Sequence, residues 1–494
     1  MLSRTDLVFL SLFATFSAAQ LPPAAVFRTD FNSSFQLTPS QIEAAQLDEA
    51  LVDSVQNVVN FERSQLAFGG PLQDDFYTLP PLMTGETAGS LKPGQILKIQ
   101  PFTDPSAFAI PSNTALSRII YTTTDFNGTV IPASAFILWP YTPRKLQNNK
   151  DPANVDKAPV VVWAHGTSGF FAPQAPSAHR GLWYAHSAPF TLAEAGYAVL
   201  APDFAGLGIS ASWDGSGIPH QYHASPTTAR DALYGLRAAL EAFPDKLGED
   251  FVAMGHSQGG GVAWSVAEVL AKDKDEFADL SAGYKGAIAG SPTTDVFSGP
   301  SSFMLPTVGQ MLHSIFPGFE LEEWLTPVGV ARTRLVEEIE GGVATFQQLF
   351  LPGDGLFKPD YNETWYVKAF SELGDAGRKS FQGPLLVLQG TEDSYIPYDV
   401  TFKTVEETWE MYPDLDLEIL VASGVGHVPV LDATKHLWLQ WIQDRLEDRP
   451  LAEKGSVRTE LKSFLPIEQY LHVVNSFPQW ASIPKYSYQV PLAV

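Results

Sequence analysis

The sequence predicts an α/β protein with a mostly parallel central sheet, an antiparallel hairpin at one sheet edge and an inserted cap. From residue 158 onward, short apolar runs alternate with helical patterns, which is typical of a parallel sheet covered on both faces. Two strand-like runs, 117–123 and 129–139, flank a turn at 125–128 and predict the edge hairpin. The alternation stops between 294 and 381, and we expect this insertion above the carboxyl ends of the strands, where α/β proteins bind ligands.

The composition is that of a folded and strongly acidic protein. The 494 residues, 45% of them hydrophobic and 17% charged, are enough for one large domain with insertions or for two ordinary domains. A formal net charge of −24 repels phosphate backbones and anionic headgroups, so we expect no nucleic-acid partner. The chain has no cysteine, which excludes disulfides, thiol nucleophiles and cysteine-bound metals.

Residues 1–19 have the pattern of a secretory signal peptide. Arg4 precedes an apolar run at 7–16, and small residues at 17–19 form a cleavage site. The run is shorter than the roughly 20 apolar residues that a transmembrane anchor needs, so we expect a secreted protein without a stable membrane anchor. Three N-x-[ST] sequons are expected glycosylation sites: Asn32, Asn127 and Asn362.

Changes in pattern divide the remaining chain into an N-terminal extension, a first core part, the cap, a second core part and a C-terminal extension: 20–116, 117–293, 294–381, 382–449 and 450–494. In the N-terminal extension one helix is predicted at 37–66, with Thr38 or Ser40 as its cap. The C-terminal extension has no pattern that predicts an element. In the core, strands are predicted at 159–163, 197–201, 286–289, 384–388 and 417–421, and helices from Ser225 and at 437–446.

The segment 251–264 carries the strongest chemical signal. It predicts an apolar strand, a tight turn at Gly255–Gly259 and a helix that begins near Gly260. This is the G-x-S-x-G pattern in the strand–turn–helix context of a nucleophile elbow, in which the backbone of Ser257 is strained so that its hydroxyl is exposed. The alternative is a glycine-rich turn without chemistry. The helix start also places partial positive charge where an oxyanion would form.

Two later motifs supply candidate partners for the serine. A serine hydroxyl needs a base, and the base needs an orienting carboxylate. Asp393 follows one predicted buried strand and His427 follows the next, in the chain order Ser, Asp, His. Taken singly, Asp393 fits a turn-capping acid and His427 a surface histidine. Glu392 is the competing acid, and we favour Asp393 because of the turn that begins at Gly390.

Stabilising a tetrahedral intermediate requires two preset N–H donors. One is expected to be Gln258, which follows the serine. The other is expected from the turn 164–169, where we select Thr167. His165 in this turn is expected to stabilise the loop and not to act as a base.

No motif predicts a cofactor or a metal. His220 and His223 lie three residues apart, but no third ligand stands near them in the sequence. Gly206–Gly208 lacks the third glycine of a dinucleotide-binding loop.

At these positions the sequence resembles the fungal secretory lipase family, the lipase A-like branch of the α/β hydrolases. The matching segments span most of the mature chain: 75–77, 93–97, the edge hairpin, His165–Thr167, Gly255–Gly260, Gly390–Asp393 and Gly426–His427. The resemblance implies an α/β-hydrolase fold and a secreted esterase or lipase with a cap inserted before the catalytic aspartate. The disulfide found in many such lipases is absent here, and the cap has no clear match.

The function predicted from these observations is that of a secreted serine carboxylic-ester hydrolase, acting on a small-molecule or lipid ester through an acyl-enzyme. Alternatives are an acyltransferase or tailoring hydrolase acting on a small-molecule ester, and a non-catalytic hydrolase-fold binding protein. A prolyl-type peptidase is disfavoured, because no acidic clamp for a substrate amine is evident. The insertion at 294–381 is either a lid over the site or a peripheral subdomain that only adds bulk. If it covers the site, some of its large apolar residues should line an acyl pocket: Phe303, Met304, Leu305, Phe316, Phe319, Trp324, Phe346 and Phe350.

Overall fold

The computed structural model describes residues 34–85, 87–147, 156–298, 304–351 and 355–471. The strands, in chain order, are β1 Ile96–Gln100, β2 Ala115–Thr124, β3 Val130–Trp139, β4 Ala158–Ala164, β5 Ala198–Pro202, β6 Leu247–His256, β7 Tyr284–Gly290, β8 Leu385–Gly390, β9 Leu417–Ala422 and β10 Ser456–Leu461. The helices are α1 Pro39–Ala44, α2 Glu49–Ser64, α3 Pro189–Glu194, α4 Ser225–Ala242, α5 Gln258–Lys272, α6 Ala278–Ser281, α7 Leu305–Ile315, α8 Pro327–Ile339, α9 Val343–Phe350, α10 Trp365–Gly374, α11 Tyr398–Met411, α12 Pro429–Ala433 and α13 Lys435–Leu446.

The strands form one sheet in the order β1-β2-β3-β5-β4-β6-β7-β8-β9-β10. The seven strands from β5 to β10 pair in parallel, whereas β1, β2 and β3 pair antiparallel at one edge. The predicted mostly parallel sheet with an antiparallel edge hairpin is therefore confirmed. Carboxyl ends of parallel strands meet at one edge of a sheet, so the loops after β4, β6, β8 and β9 are brought together.

Apolar side chains cover the sheet on both faces. On one face the core includes Leu233 of α4 and Trp264 of α5, both buried. On the other it includes Leu192 of α3 and Trp438 of α13, which are equally buried. Strands buried on both sides need continuous apolar runs, which is the pattern that predicted them.

Several elements differ from the sequence-based prediction. The single helix predicted at 37–66 is two helices, because Gln46 has a φ of 50° and Asp48 starts a new helix by accepting a hydrogen bond from the N–H of Leu51. Thr38 caps the first of them. Strands β1 and β10 lie in the two segments described above as extensions. Helix α5 begins at Gln258, two residues earlier than predicted.

The cap is helical and shares its core with the N-terminal helices. Val55 and Val59 of α2 pack in the same cluster as Leu312 of α7. The carboxylate of Glu62 at the end of α2 accepts hydrogen bonds of 2.9 to 3.2 Å from three N–H groups at the start of α9, those of Gly342, Ala344 and Thr345. This places a hydrogen-bonded carboxylate at the positive end of a cap helix.

Helix α9 in turn contacts the loops that follow two sheet strands. The ring of Phe346 lies 5.1 Å, centroid to centroid, from that of Phe170, in the loop after β4. The side chain of Gln347 hydrogen-bonds with the hydroxyl of Tyr395, in the loop after β8. The cap therefore lies against the carboxyl-terminal edge of the sheet.

Some predicted features lie outside the described residues, namely the signal peptide, Asn32 and Phe303. The other two sequon asparagines, Asn127 and Asn362, are exposed. Across the part of the chain that the structure describes, the helices are too short or too polar to cross a membrane.

Candidate active site

The turn between β6 and α5 has the geometry of a strained elbow. Ser257 has a φ of 60° and a ψ of −122°, which a residue with a side chain rarely adopts. A Cβ at Gly259 would lie 2.0 Å from the carbonyl oxygen of Ala164, so only glycine fits at this position. Ser257 is half-buried, and its hydroxyl makes no hydrogen bond to the described residues.

Asp393 and His427 form a hydrogen-bonded pair beside this elbow. Nδ1 of His427 donates to Oδ2 of Asp393 at 2.8 Å. Oδ1 of Asp393 accepts from the N–H groups of Tyr395 and Ile396 at 3.0 and 2.9 Å, and Gln389 donates to Oδ2 at 3.2 Å. Glu392 is exposed, so the structure places Asp393 and not Glu392 against the histidine.

The surroundings of Asp393 favour its ionised form. Burial acts to raise its pKa, but the neighbouring His427 and the hydrogen bonds to the carboxylate outweigh burial and hold the pKa below the ordinary value. An ionised Asp393 fixes the proton of His427 on Nδ1. The lone pair on Nε2 is then available to accept a proton, and Nε2 has no hydrogen-bond partner within the described ranges.

The serine lies next to this pair in the fold, although the Ser257–His427 hydrogen bond is not formed. His256, which precedes the serine, has its ring 4.5 Å from that of His427 and donates from Nε2 to the carbonyl oxygen of His427 at 3.0 Å. Catalytic hydrogen bonds are often long before substrate binds. The three predicted triad residues therefore meet at one edge of the sheet, with the base and acid already paired.

The two candidate oxyanion donors lie on adjoining segments. Gln258 is the first residue of α5, so its N–H has no partner within the helix. The N–H of Thr167 likewise donates to no group in the described part of the chain. The loop that carries Thr167 runs against the elbow, because a Cβ at Gly166 would lie 3.1 Å from the carbonyl oxygen of His256.

A segment that the sequence did not identify as part of the site, 220–223, supports both donors. The hydroxyls of Tyr222 and Thr167 are 2.8 Å apart. His220 donates from Nδ1 to the carbonyl oxygen of Ala205 at 3.1 Å and accepts from the side-chain amide of Gln258 at 3.1 Å. Burial lowers the pKa of His220 to about 3, so the ring is neutral.

Both ring nitrogens of His220 are therefore occupied, which leaves no lone pair for a metal. Among the described residues no group of three histidine, aspartate or glutamate side chains is arranged to hold a metal ion. His165 is buried and stacks on Phe204 at 4.3 Å, and its Nδ1 donates to the carbonyl oxygen of Gly166 at 2.8 Å. It thus braces the loop that carries Thr167.

A model of the alpha/beta hydrolase family matches residues 161–436, which is more than half of the chain and contains Ser257, Asp393 and His427. The chain belongs to the alpha/beta hydrolase family. The predicted α/β-hydrolase fold is confirmed.

Solved structures with the same fold include lipases and esterases. Two X-ray structures of Candida antarctica lipase A, one of them in its closed state, superpose on this alpha/beta hydrolase with TM-scores of 0.60 and 0.59. They are 15% and 16% identical to it, over 80% and 79% of this chain and 90% of theirs. The rice cell wall degrading esterase LipA from Xanthomonas oryzae has a TM-score of 0.52 and 18% identity, over 72% of this chain and 99% of its own. No curated protein sequence matches the chain.

Proposed function

We propose that the protein is a secreted serine carboxylic-ester hydrolase, an esterase or lipase that acts through an acyl-enzyme. The observation that carries the proposal is the 2.8 Å Asp393–His427 pair next to the strained elbow at Ser257. A base–carboxylate pair beside a serine in this backbone conformation has the arrangement that nucleophilic acyl transfer requires. The lipase and esterase structures that share the fold support the same reaction class.

The proposed reaction begins with attack of Ser257 Oγ on the ester carbonyl carbon. Nε2 of His427 takes the hydroxyl proton, and Asp393 stabilises the resulting imidazolium. The N–H groups of Gln258 and Thr167, together with the N-terminus of α5, stabilise the oxyanion of the tetrahedral intermediate. The imidazolium then protonates the leaving alkoxide, and the acyl group remains on Ser257.

The second half of the proposed reaction repeats these steps with water. His427 removes a proton from water as the oxygen attacks the acyl carbon, and the second tetrahedral intermediate uses the same oxyanion donors. Collapse returns the proton to Ser257 Oγ and releases the carboxylic acid. Each turnover consumes one ester and one water, and produces one acid and one alcohol.

A cavity of about 530 Å³ between the cap and the core is our candidate for the acyl-chain pocket. Such a volume is in the range of small-molecule sites. Its wall contains Tyr222 and His220, which contact Thr167 and Gln258, so the cavity is one side chain away from the proposed oxyanion donors. The wall also contains the carboxylates Glu320, Glu337 and Glu340. Core loops and cap contribute apolar residues to it: Phe170, Phe171, Met311, Phe319 and Leu321.

Secretion and membership of the fungal secretory lipase branch are parts of the proposal that rest on sequence. The support for secretion is the signal-like pattern at 1–19 and the sequons, two of which are at exposed asparagines, Asn127 and Asn362. The support for the branch is the set of matching motifs together with the lipase A-like fold.

Expression of the full chain in a secreting yeast host tests the proposal. We expect ester hydrolysis in the medium, a mass decrease on enzymatic deglycosylation, and activity towards p-nitrophenyl esters from acetate to palmitate. Ser257→Ala is expected to lower kcat by several orders of magnitude, because triad removal leaves only the binding and oxyanion contributions.

The wild-type protein should be labelled covalently by a fluorophosphonate, and the alanine variant should not. Thr401→Ala, a buried hydroxyl on α11, is the matched control for loss of a threonine or serine side chain and should retain activity and labelling. A correctly folded Ser257→Ala protein with near wild-type turnover would overturn the mechanism. A protein retained inside the host would overturn the proposal of secretion alone.

A further inference from the structure

His256, the residue before the proposed nucleophile, is buried and links two parts of the site. Its Nε2 faces the carbonyl oxygen of His427 at 3.0 Å, and its Nδ1 faces the hydroxyl of Tyr184 at 2.6 Å. Burial, and then the neighbouring His427, lower the pKa of His256 to about 3, so the ring is neutral and has only one N–H. It cannot donate in both directions.

The partners determine which nitrogen carries that proton. A carbonyl oxygen only accepts, so Nε2 of His256 donates to His427. Nδ1 must then accept, and Tyr184 donates to it. Burial raises the pKa of Tyr184, which keeps the hydroxyl protonated as this requires. The result is a directed chain of hydrogen bonds from Tyr184 through His256 to the backbone of His427.

The backbone that carries Tyr184 is held in an unusual conformation. Four consecutive residues, Leu182 to Ala185, have φ values of 48°, 47°, 68° and 36°, and none of them is glycine. A left-handed backbone is unfavourable for residues with a side chain, so such a run persists only where surrounding contacts impose it. All four residues are buried.

This left-handed turn directs two polar aromatic groups at the site. Nε1 of Trp183 donates to the carbonyl oxygen of Gly166 at 3.1 Å, and the hydroxyl of Tyr184 donates to His256. One turn therefore contacts both the loop that carries Thr167 and, through His256, the loop that carries His427.

We propose that Tyr184 and His256 are positioning residues that act in series: Tyr184 fixes the tautomer and orientation of His256, and His256 holds the backbone of His427 so that its imidazole faces Ser257. The inference rests on the proposed serine-hydrolase function. The carbonyl oxygen of His427 also accepts a hydrogen bond from the hydroxyl of Ser291, at a distance of 3.5 Å. The His256 contact is the shorter and better placed to fix it.

Tyr184→Phe is the primary test, because it removes a single oxygen atom from a buried ring. Without the donor, Nδ1 of His256 is left buried and unsatisfied, and the ring is no longer fixed. We expect kcat for p-nitrophenyl butyrate to fall about tenfold with little change in KM, since displacing a catalytic group by about 1 Å can cost about 100-fold. The rate of covalent labelling by a fluorophosphonate should fall by the same factor.

A spectroscopic measurement tests the geometry independently of turnover. The low-field proton resonance of the His427–Asp393 hydrogen bond, assigned by its absence in His427→Ala, should shift or broaden in Tyr184→Phe. The matched control is Tyr121→Phe, which removes another buried hydroxyl, one that donates to the carbonyl oxygen of Asp231 at 2.7 Å in the sheet core. In Tyr121→Phe, the His427–Asp393 resonance and kcat should remain those of the wild type.

Action in series also predicts non-additivity. His256→Gln should lower kcat at least as much as Tyr184→Phe, and the double variant should be no worse than His256→Gln alone. If the losses in kcat of the two single variants multiply in the double variant, the two residues do not act in series. An unchanged resonance and labelling rate in Tyr184→Phe would overturn the positioning role itself. If the resonance does not shift in Tyr184→Phe while Ser257→Ala remains inactive, only this inference is refuted. Activity in Ser257→Ala would instead refute the proposed function.

Discussion

Two adjacent carboxylates, Asp393 and Glu392, are candidates for the acid of the proposed triad. Asp393→Asn should lower kcat by about 10⁴-fold, because the amide cannot hold the proton of His427 on Nδ1 as the carboxylate does. Glu392→Gln, the matched control one residue earlier, should change kcat less than twofold, since Glu392 is exposed and it is Asp393 that accepts the hydrogen bond from His427. Steady-state kinetics on a short activated ester measure both. A larger loss in Glu392→Gln would assign the acid to that residue.

Residues whose chemistry requires a local pattern could be predicted from the sequence. Ser257 stands between glycines that the elbow needs, and Asp393 and His427 each follow an apolar run that forms a buried strand. Residues that act through a distant partner could not be predicted. Tyr184 lies 72 positions from His256, and its left-handed turn contains no glycine that would have marked it.

The same distinction applies to the two histidines between β5 and α4. The spacing of His220 and His223 is visible in the sequence, but without a third metal ligand nearby it assigns these histidines no role. Only the fold shows that Ala205 and Gln258 occupy both nitrogens of His220. No sequence motif marks a histidine that orients an oxyanion residue, because its partners come from other parts of the chain.

The cap helices determine which esters fit if the cavity beside α7 holds the acyl chain. Each methylene buried there contributes roughly 0.8 kcal/mol, so kcat/KM should rise with acyl length until the cavity is full. Met311→Ala or Phe171→Ala should lower kcat/KM for octanoyl and longer esters by about tenfold, from the loss of packing, while acetyl esters should be nearly unaffected. Met311→Trp should exclude long chains altogether. The measurement is a chain-length series for each variant.

The control for this series is a cap residue of similar burial that does not line the cavity. Leu335 of α8 is buried in the core shared by cap and N-terminal helices. Leu335→Ala should lower the melting temperature and leave the chain-length profile as in the wild type. A wild-type chain-length profile in the cavity variants as well would mean that the acyl chain lies elsewhere.

Element prediction succeeded where burial dictates the pattern. Strands β4 and β5 are apolar and buried along their whole length, and α4 begins at Ser225 with a proline in its first turn, as predicted. Edge strand β10 alternates half-buried and exposed residues over only six positions, a pattern too short and too polar to predict a strand. The break between α1 and α2 depends on Gln46, whose left-handed conformation has no marker in its residue type.

At the scale of the whole protein, folding buries ionisable side chains, and Asp231 is one of them. Burial raises the pKa of Asp231, on α4, to about 7, although it accepts hydrogen bonds from the hydroxyl of Thr123 at 2.7 Å and the N–H of Ala205 at 2.9 Å. Asp231 connects α4 to β2 and to the loop after β5 through these bonds. Ionisation of Asp231 therefore destabilises the folded state, and this destabilisation depends on pH.

The sign of this dependence follows from the two pKa values. An unfolded aspartate has a pKa of about 3.9, so between about pH 4 and pH 7 the folded state binds more protons at Asp231 than the unfolded state does. The contribution of this group to the free energy of unfolding therefore decreases as pH rises through that window, and is constant above the pKa of about 7. Other groups add their own slopes, which cancel when a variant is compared with the wild type.

Asp231→Asn removes this titration. The difference in the free energy of unfolding between variant and wild type should move in favour of the variant by the order of 2 kcal/mol from pH 5 to pH 8, since each pKa unit is worth about 1.4 kcal/mol. Urea denaturation at the two pH values measures it. Asp245→Asn, on the surface, changes the net charge equally and should give a difference that does not depend on pH. Parallel behaviour of the two variants would show that Asp231 is already ionised at pH 5, and that its two hydrogen bonds outweigh its burial.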